Sequence, residues 1–265
     1  YEFHQVRAEF SYVDERCEIK SFSGQHEETR VRGSGIATLP PQGEWQLDLL
    51  DLFVDDLSPD RQLRQALPGG LRTVFEELDP QKAFSFSGSL RFKGTHRESD
   101  PVRASWNLDF VFTGNQLNTG IELKNLHGQV SALGTWNGER IDNAGRIQLE
   151  SVEVLDYQLT KVQGPYRVDG SRVVIGSEKV LAPAAEQDNR AVPFSERLTA
   201  QVISGTLTYD AEVLLEEEVR YRSRLTLVNG KLEDYARRYL PGTRNLSGVM
   251  NGWLNCSGQG VDTHR

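Results

Sequence analysis

The sequence holds no run of 18 apolar residues, and residues 1 to 20 contain neither the basic segment nor the apolar stretch of a secretion signal. It has two cysteines, Cys17 and Cys256, too far apart in the chain to indicate a disulfide framework or a metal site. The five histidines, His4, His26, His96, His127 and His264, are dispersed, and none stands at ligand spacing from another His or Cys. No G-x-S-x-G, P-loop or H-E-x-x-H occurs. The chain is therefore expected to be no enzyme and to use no cofactor or metal. Basic residues are outnumbered, 30 against 38 acidic, for a net charge of -8, and they are scattered singly along the chain. A phosphate backbone needs a basic stripe, so nucleic acid is excluded as a partner, and an anionic membrane surface is disfavoured on the same ground. Hydrophobic content of 37% and a mean hydropathy of -0.51 are low for a compact α/β enzyme and favour an elongated sheet.

What the sequence has is alternation. "LSGVMNGWLNCSG", residues 246 to 258, sets Leu246, Gly248, Met250, Gly252, Leu254 and Cys256 on one face against Ser247, Val249, Asn251, Trp253, Asn255 and Ser257. "FSGSLRFKG" repeats the arrangement with Phe86, Gly88, Leu90, Phe92 and Gly94, and "LHGQVSALGTWNG" with Leu126, Gly128, Val130, Ala132, Gly134 and Trp136. Looser copies surround Gly145, Gly164 and Gly205, and "ASWNLDFVF" lines up Trp106, Leu108, Phe110 and Phe112. Period-two patterning over seven or more residues marks strands with one buried and one wet face, in antiparallel sheets. Glycine inside a strand is costly, so glycines recurring on an inward face mean a sharp bend or a close approach to the backbone.

Two stretches break the pattern. Around 59–78, Ser58 is read as an N-cap with Pro59 opening the helix, and Leu63, Ala66 and Leu67, then Leu71, Val74, Phe75 and Leu78, form two short stripes kinked at Pro68-Gly69-Gly70. A second short amphipathic helix is expected over 232–240, where Leu232, Tyr235, Ala236 and Tyr239 share a face ended by Pro241-Gly242. Residues 177–197 are aperiodic and rich in alanine, proline and charge, which marks a mobile loop or linker between a curved β segment, 1–176, and the start of the next, 198–265. Asp48, Asp51, Asp55, Asp56 and Asp60 lack the spacing of a calcium loop and read as strand-end and helix-cap residues. Glu216-Glu217-Glu218 reads as a charged hairpin tip.

The block from Leu198-Thr199-Ala200 through Ser204-Gly205-Thr206-Leu207, Tyr221 to Leu227, Leu232-Glu233-Asp234-Tyr235, Leu246-Ser247-Gly248, Gly252-Trp253-Leu254 and Ser257-Gly258-Gln259-Gly260 resembles the C-terminal part of an AsmA-like domain. The superfamily includes AsmA and TamB and is similar to bridge-like lipid-transfer proteins. The firm resemblance covers residues 198 to 262, about a quarter of the chain, and its signature is a spacing of hydroxyl-Gly-apolar strand starts. The chain departs from the family in its single Gly205, its acidic stretch at 216–218 and its lack of an N-terminal membrane anchor, so it is taken as an interior fragment of a longer protein.

The resemblance implies a long, strongly curved antiparallel sheet forming an open trough in the periplasm of a diderm bacterium, anchored to the inner membrane through a segment outside this chain. Phospholipid acyl chains would lie along the apolar lining and pass between the inner and outer membranes. The lining candidates are Leu90, Phe92, Trp106, Leu108, Phe110, Phe112, Val130, Leu207, Leu225, Leu227, Met250 and Leu254, and the glycines expected to supply curvature and clearance are Gly88, Gly128, Gly205, Gly248 and Gly252. Three readings from other classes use the same alternation: a sealed β-sandwich for adhesion or carbohydrate binding, a purely structural envelope repeat, and a glycoside-acting enzyme on a β scaffold.

Overall fold

A computed structural model describes residues 1–67, 69–97, 100–181, 192–216, 218–240, 242 and 246–260. The first strands are β1 (His4–Val13), β2 (Arg16–His26), β3 (Thr29–Thr38) and β4 (Glu44–Leu57). Helices α1 (Arg61–Ala66) and α2 (Gly69–Leu78) follow. Next come β5 (Phe84–Thr95), β6 (Arg103–Asn118), β7 (Glu122–Trp136), β8 (Ile141–Val154), β9 (Tyr157–Asp169) and β10 (Arg172–Ile175). The remainder comprises α3 (Glu178–Leu181), β11 (Leu198–Val202), β12 (Gly205–Leu214), β13 (Val219–Lys231), α4 (Leu232–Tyr239) and β14 (Val249–Gly260).

The strands join one antiparallel sheet in chain order from β1 to β10, then β12, β13 and β14, with β11 bonded to both β9 and β12. Neighbours in sequence are mostly neighbours in space, and several of the connections are tight hairpins. Asp14-Glu15, Leu155-Asp156 and Ile203-Ser204 turn with positive φ at both residues. That is the twist a two-residue hairpin requires, met here largely without glycine. By internal contacts the chain forms two compact units, Tyr1–Asn143 and Ala144–Arg265.

In the first unit, bulges decide which residues share a face. β4 pairs Leu49 with Leu90 and then Leu52 with Gly88, so Leu50 and Asp51 bulge out, with Asp51 at φ +48°. The extra residue moves Leu52 and Val54 onto the face of Leu47 and Leu49, where strict alternation would have put them opposite. A comparable shift in β6 follows Thr113. There the fully buried Asn115 accepts from Thr113 N and donates to the Lys82 and Ala83 carbonyls at 2.9 Å, satisfying backbone groups that the broken ladder leaves unpaired.

The helical insert begins two residues later than its sequence implies. Asp60, not Ser58, caps α1, its Oδ1 accepting from Leu63 N at 2.7 Å, while Ser58 N donates to Thr29 Oγ1. A carboxylate reaches the third amide of the helix and also suits its positive end, which favours Asp over Ser here. Pro68 and the side chains of Leu71 and Val74 lie outside the described residues, whereas Phe75 packs on Phe84 with ring centroids 6.4 Å apart. In the second unit α4 follows β13 directly and buries Ala236; the Tyr239 side chain and Pro241 lie outside the described residues.

Residues 177–197 leave and re-enter a single strand position. β10 and β11 lie end to end between β9 and β12: Val173 pairs with Val168 and Val213, and Ala200 with Leu207, while Thr199 pairs with Gln163. The stretch expected to separate two segments is thus an excursion within the second unit, and its residues 182–191 lie outside those described. Both of its flanks are tied to the sheet. Asp210, with no solvent exposure, accepts from Ser177 N at 2.8 Å and from Arg197 Nε at 2.8 Å. Beside it, Glu212 accepts from Arg172 Nε at 2.6 Å and from Arg222, and Arg172 also binds Glu178 of α3. The polar face of β12 is therefore covered, against the simple pattern of one dry and one wet face.

Candidate functional site

On the first unit, register converts the alternation into continuous apolar rows. One row runs Cys17, Ala37, Leu47, Phe92, Ala104, Trp136 across β2 to β7. The next runs Ile19, Gly35, Leu49, Leu90, Trp106, Gly134. Shorter rows follow in Leu52, Gly88, Leu108, Ala132 and in Val31, Val54, Phe86, Phe110, Val130. None of these positions carries a charge. The opposite face holds Asp48, Arg91 and Ser105 in register, and Asp48 pairs with both Arg91 and Gln46. Burial works against ionising Asp48, but those two hydrogen bonds prevail and hold its carboxyl below the ordinary range.

Of the twelve lining candidates, Leu108 is buried at 7% exposure, Leu254 is 56% exposed, and the others are half-buried. Phe110 and Phe112 lie in an aromatic cluster with Phe84 and Phe86, ring centroids 5.6 to 6.2 Å apart, onto which α2 places Phe75. Half-burial in the middle of a sheet means that neighbouring side chains shield each other while the outer surface stays accessible.

The second unit carries its own apolar rows. Ala200, Leu207, Leu227 and Gly252 form one, and Leu198, Tyr209, Leu225 and Leu254 another. Burial raises the Tyr209 phenol above its ordinary value despite a hydrogen bond with Ser223. Met250 sits beside them on β14, an edge strand, which accounts for the exposure of Leu254 and Trp253. An open depression elsewhere on this unit is lined by Gln158, Val202, Ile203, Asp234, Arg237 and Arg238.

The glycines separate into three kinds. Gly88, at φ +138°, would place a Cβ 2.0 Å from Asn107 O, and Gly205 would place one 2.6 Å from Gly230 N. These are close backbone approaches. Gly128 has φ +131°, a conformation few side chains tolerate. Gly252 meets nothing within 4 Å, nor does Gly248, which precedes β14 and lies outside the strand its alternation assigned it to. A third kind was not among the curvature candidates. Gly33, Gly94, Gly134 and Gly258 lie directly opposite Phe22, Trp45, Trp106 and Tyr221, whose rings come within 2.6 to 2.9 Å of where a Cβ would be. An aromatic ring laid over a cross-strand glycine recovers the packing that the glycine lacks, and the glycine lets the ring lie flat on the sheet. Trp45 and Trp106 also satisfy their indole N–H groups, on Thr95 O at 3.2 Å and Asn143 Oδ1 at 3.0 Å.

No family model, curated protein or solved structure matches the chain. What the site can do is therefore argued from its own geometry. The rows hold the lining candidates Leu90, Phe92, Trp106, Leu108, Phe110 and Val130 together with Leu47, Leu49, Leu52 and Val54, which the sequence pattern did not single out because the β4 bulge interrupts their alternation. It also did not bring His26 to Asp60: their facing atoms, Nε2 and Oδ2, lie 3.4 Å apart at one end of the first unit. Cys17 and Cys256 are free and half-buried. No described helix is long and apolar enough to cross a membrane.

Proposed function

We propose that the chain is a non-catalytic lipid-binding segment of an envelope-spanning protein, and that phospholipid acyl chains lie along the apolar rows while their headgroups stay in water. The observation that supports this reading is the uncharged face of the first unit. Its rows cross as many as six strands, most of its large side chains are half-buried while Leu52, Val54 and Leu108 are buried, and α2 packs at the end where Phe75 meets Phe84. A contiguous apolar surface of that extent is unusual unless something covers it. Each acyl methylene buried there contributes about 0.8 kcal/mol, and evenly graded rows hold a chain without a single trapping site. The described strands belong to one antiparallel sheet.

A curved, open trough, the AsmA-like affiliation, transfer between inner and outer membranes, and periplasmic location all belong to the same proposal; the family resemblance of residues 198 to 262 is their support. The test is organic extraction and mass spectrometry of the protein purified without detergent. The comparison is a Leu108→Glu plus Phe110→Lys variant shown to be folded by circular dichroism. About one phospholipid per parent molecule, absent from the folded variant, supports the reading. A lipid-free parent with its apolar face protected from solvent overturns it.

A further inference from the structure

The β2–β3 hairpin ends at His26 and Thr29, which pair across a two-residue turn, Glu27-Glu28. The His26 ring is only 4% exposed, with Tyr1 lying over it at 4.0 Å between centroids. Its Nδ1 lies 2.6 Å from the Glu2 carbonyl oxygen. That oxygen can only accept, so Nδ1 carries a proton, and whenever the ring is neutral its Nε2 lone pair points the other way. What Nε2 faces is the Asp60 carboxylate, whose Oδ2 is 3.4 Å away. In the neutral ring that lone pair meets an anionic oxygen, an unfavourable contact unless a cation lies between them, and Nε2 has no hydrogen-bond partner among the described residues. Asp60 Oδ1 is already engaged by Leu63 N, which fixes the carboxylate and leaves Oδ2 turned toward the ring. Glu27 brings a third donor: one ligand atom from each of His26, Glu27 and Asp60 fall within 4.8 Å of one another.

We propose that His26 Nε2, Asp60 Oδ2 and the Glu27 carboxylate form a binding site for a divalent transition-metal ion of the zinc class. Zinc takes imidazole nitrogen at about 2.0–2.1 Å and carboxylate oxygen at about 2.0–2.2 Å, and tetrahedral ligands at those lengths are about 3.3–3.6 Å apart. The observed 3.4 Å between Nε2 and Oδ2 is that separation. The carbonyl partner on Nδ1 is the second contact that ligating histidines use to fix tautomer and orientation. One imidazole with two carboxylates suits zinc better than magnesium or calcium, which favour all-oxygen sets, and water completes the fourth position. The ion replaces an unpaired, buried nitrogen and its anionic neighbour with two satisfied ligands. It fastens the β2–β3 turn to the start of α1, at the end of the apolar face where the helical insert sits. This site is independent of the lipid reading.

The test uses the 265-residue chain, stripped with chelator and titrated with zinc against a chromophoric competitor. Asp60→Asn keeps an acceptor for the helix cap and removes the charged ligand; Glu27→Gln alters an exposed turn residue. One zinc per chain, bound at least about tenfold more weakly by each variant, is the expected result. Nitrogen-15 spectra of the histidines should show His26 Nε2 unprotonated and shifted on zinc addition. Equal binding by parent and both variants overturns the site. So does a His26 Nε2 that carries a proton before and after zinc is saturating, since that makes the pair a plain imidazolium–carboxylate contact.

Discussion

At the scale of single residues, two glycines that look alike in sequence do different work. Gly88 faces Leu108 with positive φ and a carbonyl where its Cβ would be, so Gly88→Ala must move backbone. It should cost on the order of 2–4 kcal/mol in a urea titration. Gly252 faces open space in an ordinary strand conformation, and Gly252→Ala should change stability by less than about 1 kcal/mol, in the stabilising direction if at all. A large loss at Gly252 or none at Gly88 would reverse these assignments. The glycine–aromatic pairs explain why the inward glycines recur without emptying the surface: Trp106 over Gly134 puts a large ring where two ordinary side chains would compete for space.

At the scale of elements, the excursion between β10 and β11 depends on buried charge. Burial disfavours the ionised Glu212, yet hydrogen bonds from Arg172 and Arg222 outweigh it and hold its carboxyl below the ordinary 4.5. Because the folded value lies below the unfolded one, the stabilisation is complete above about pH 4.5 and is lost as pH falls through the depressed folded value. Unfolding free energy measured across that acid range should therefore drop in the parent. Glu212→Gln should be less stable near neutrality and show a flatter acid limb; parallel acid limbs would mean that Glu212 does not contribute. The pairing is legible only in three dimensions, since Arg172, Glu212 and Arg222 come from different strands and Glu178 from α3.

At the scale of the whole molecule, a sheet whose strands follow chain order is nearly one-dimensional: each strand is held chiefly by its two neighbours. Edge strands have one neighbour. β1 is exposed at every residue, and β14 at all but a few. Amide hydrogen exchange should accordingly be slowest in β5 to β7 and fastest in β1 and β14, with opening that grows toward the edges. Protection of β1 equal to that of β6 would show that another part of the protein, or another molecule, covers that edge.

The amino-acid sequence by itself determined the secondary-structure class, the antiparallel pairing of successive strands, the two helical breaks and most of the apolar surface, because period-two alternation and short turn signals act over neighbouring residues. Leu108, Phe110 and Val130 were legible for that reason. Tertiary structure alone decided the rest. The bulge at Leu50-Asp51 added Leu52 and Val54 to the surface by changing register, Asp60 displaced Ser58 as a cap, and 177–197 proved to interrupt one strand position. His26 and Asp60, 34 residues apart in the sequence, met because the hairpin end and the helix start converge. Register, bulges and long-range side-chain pairs depend on which distant backbone lies alongside, and a local pattern does not encode that.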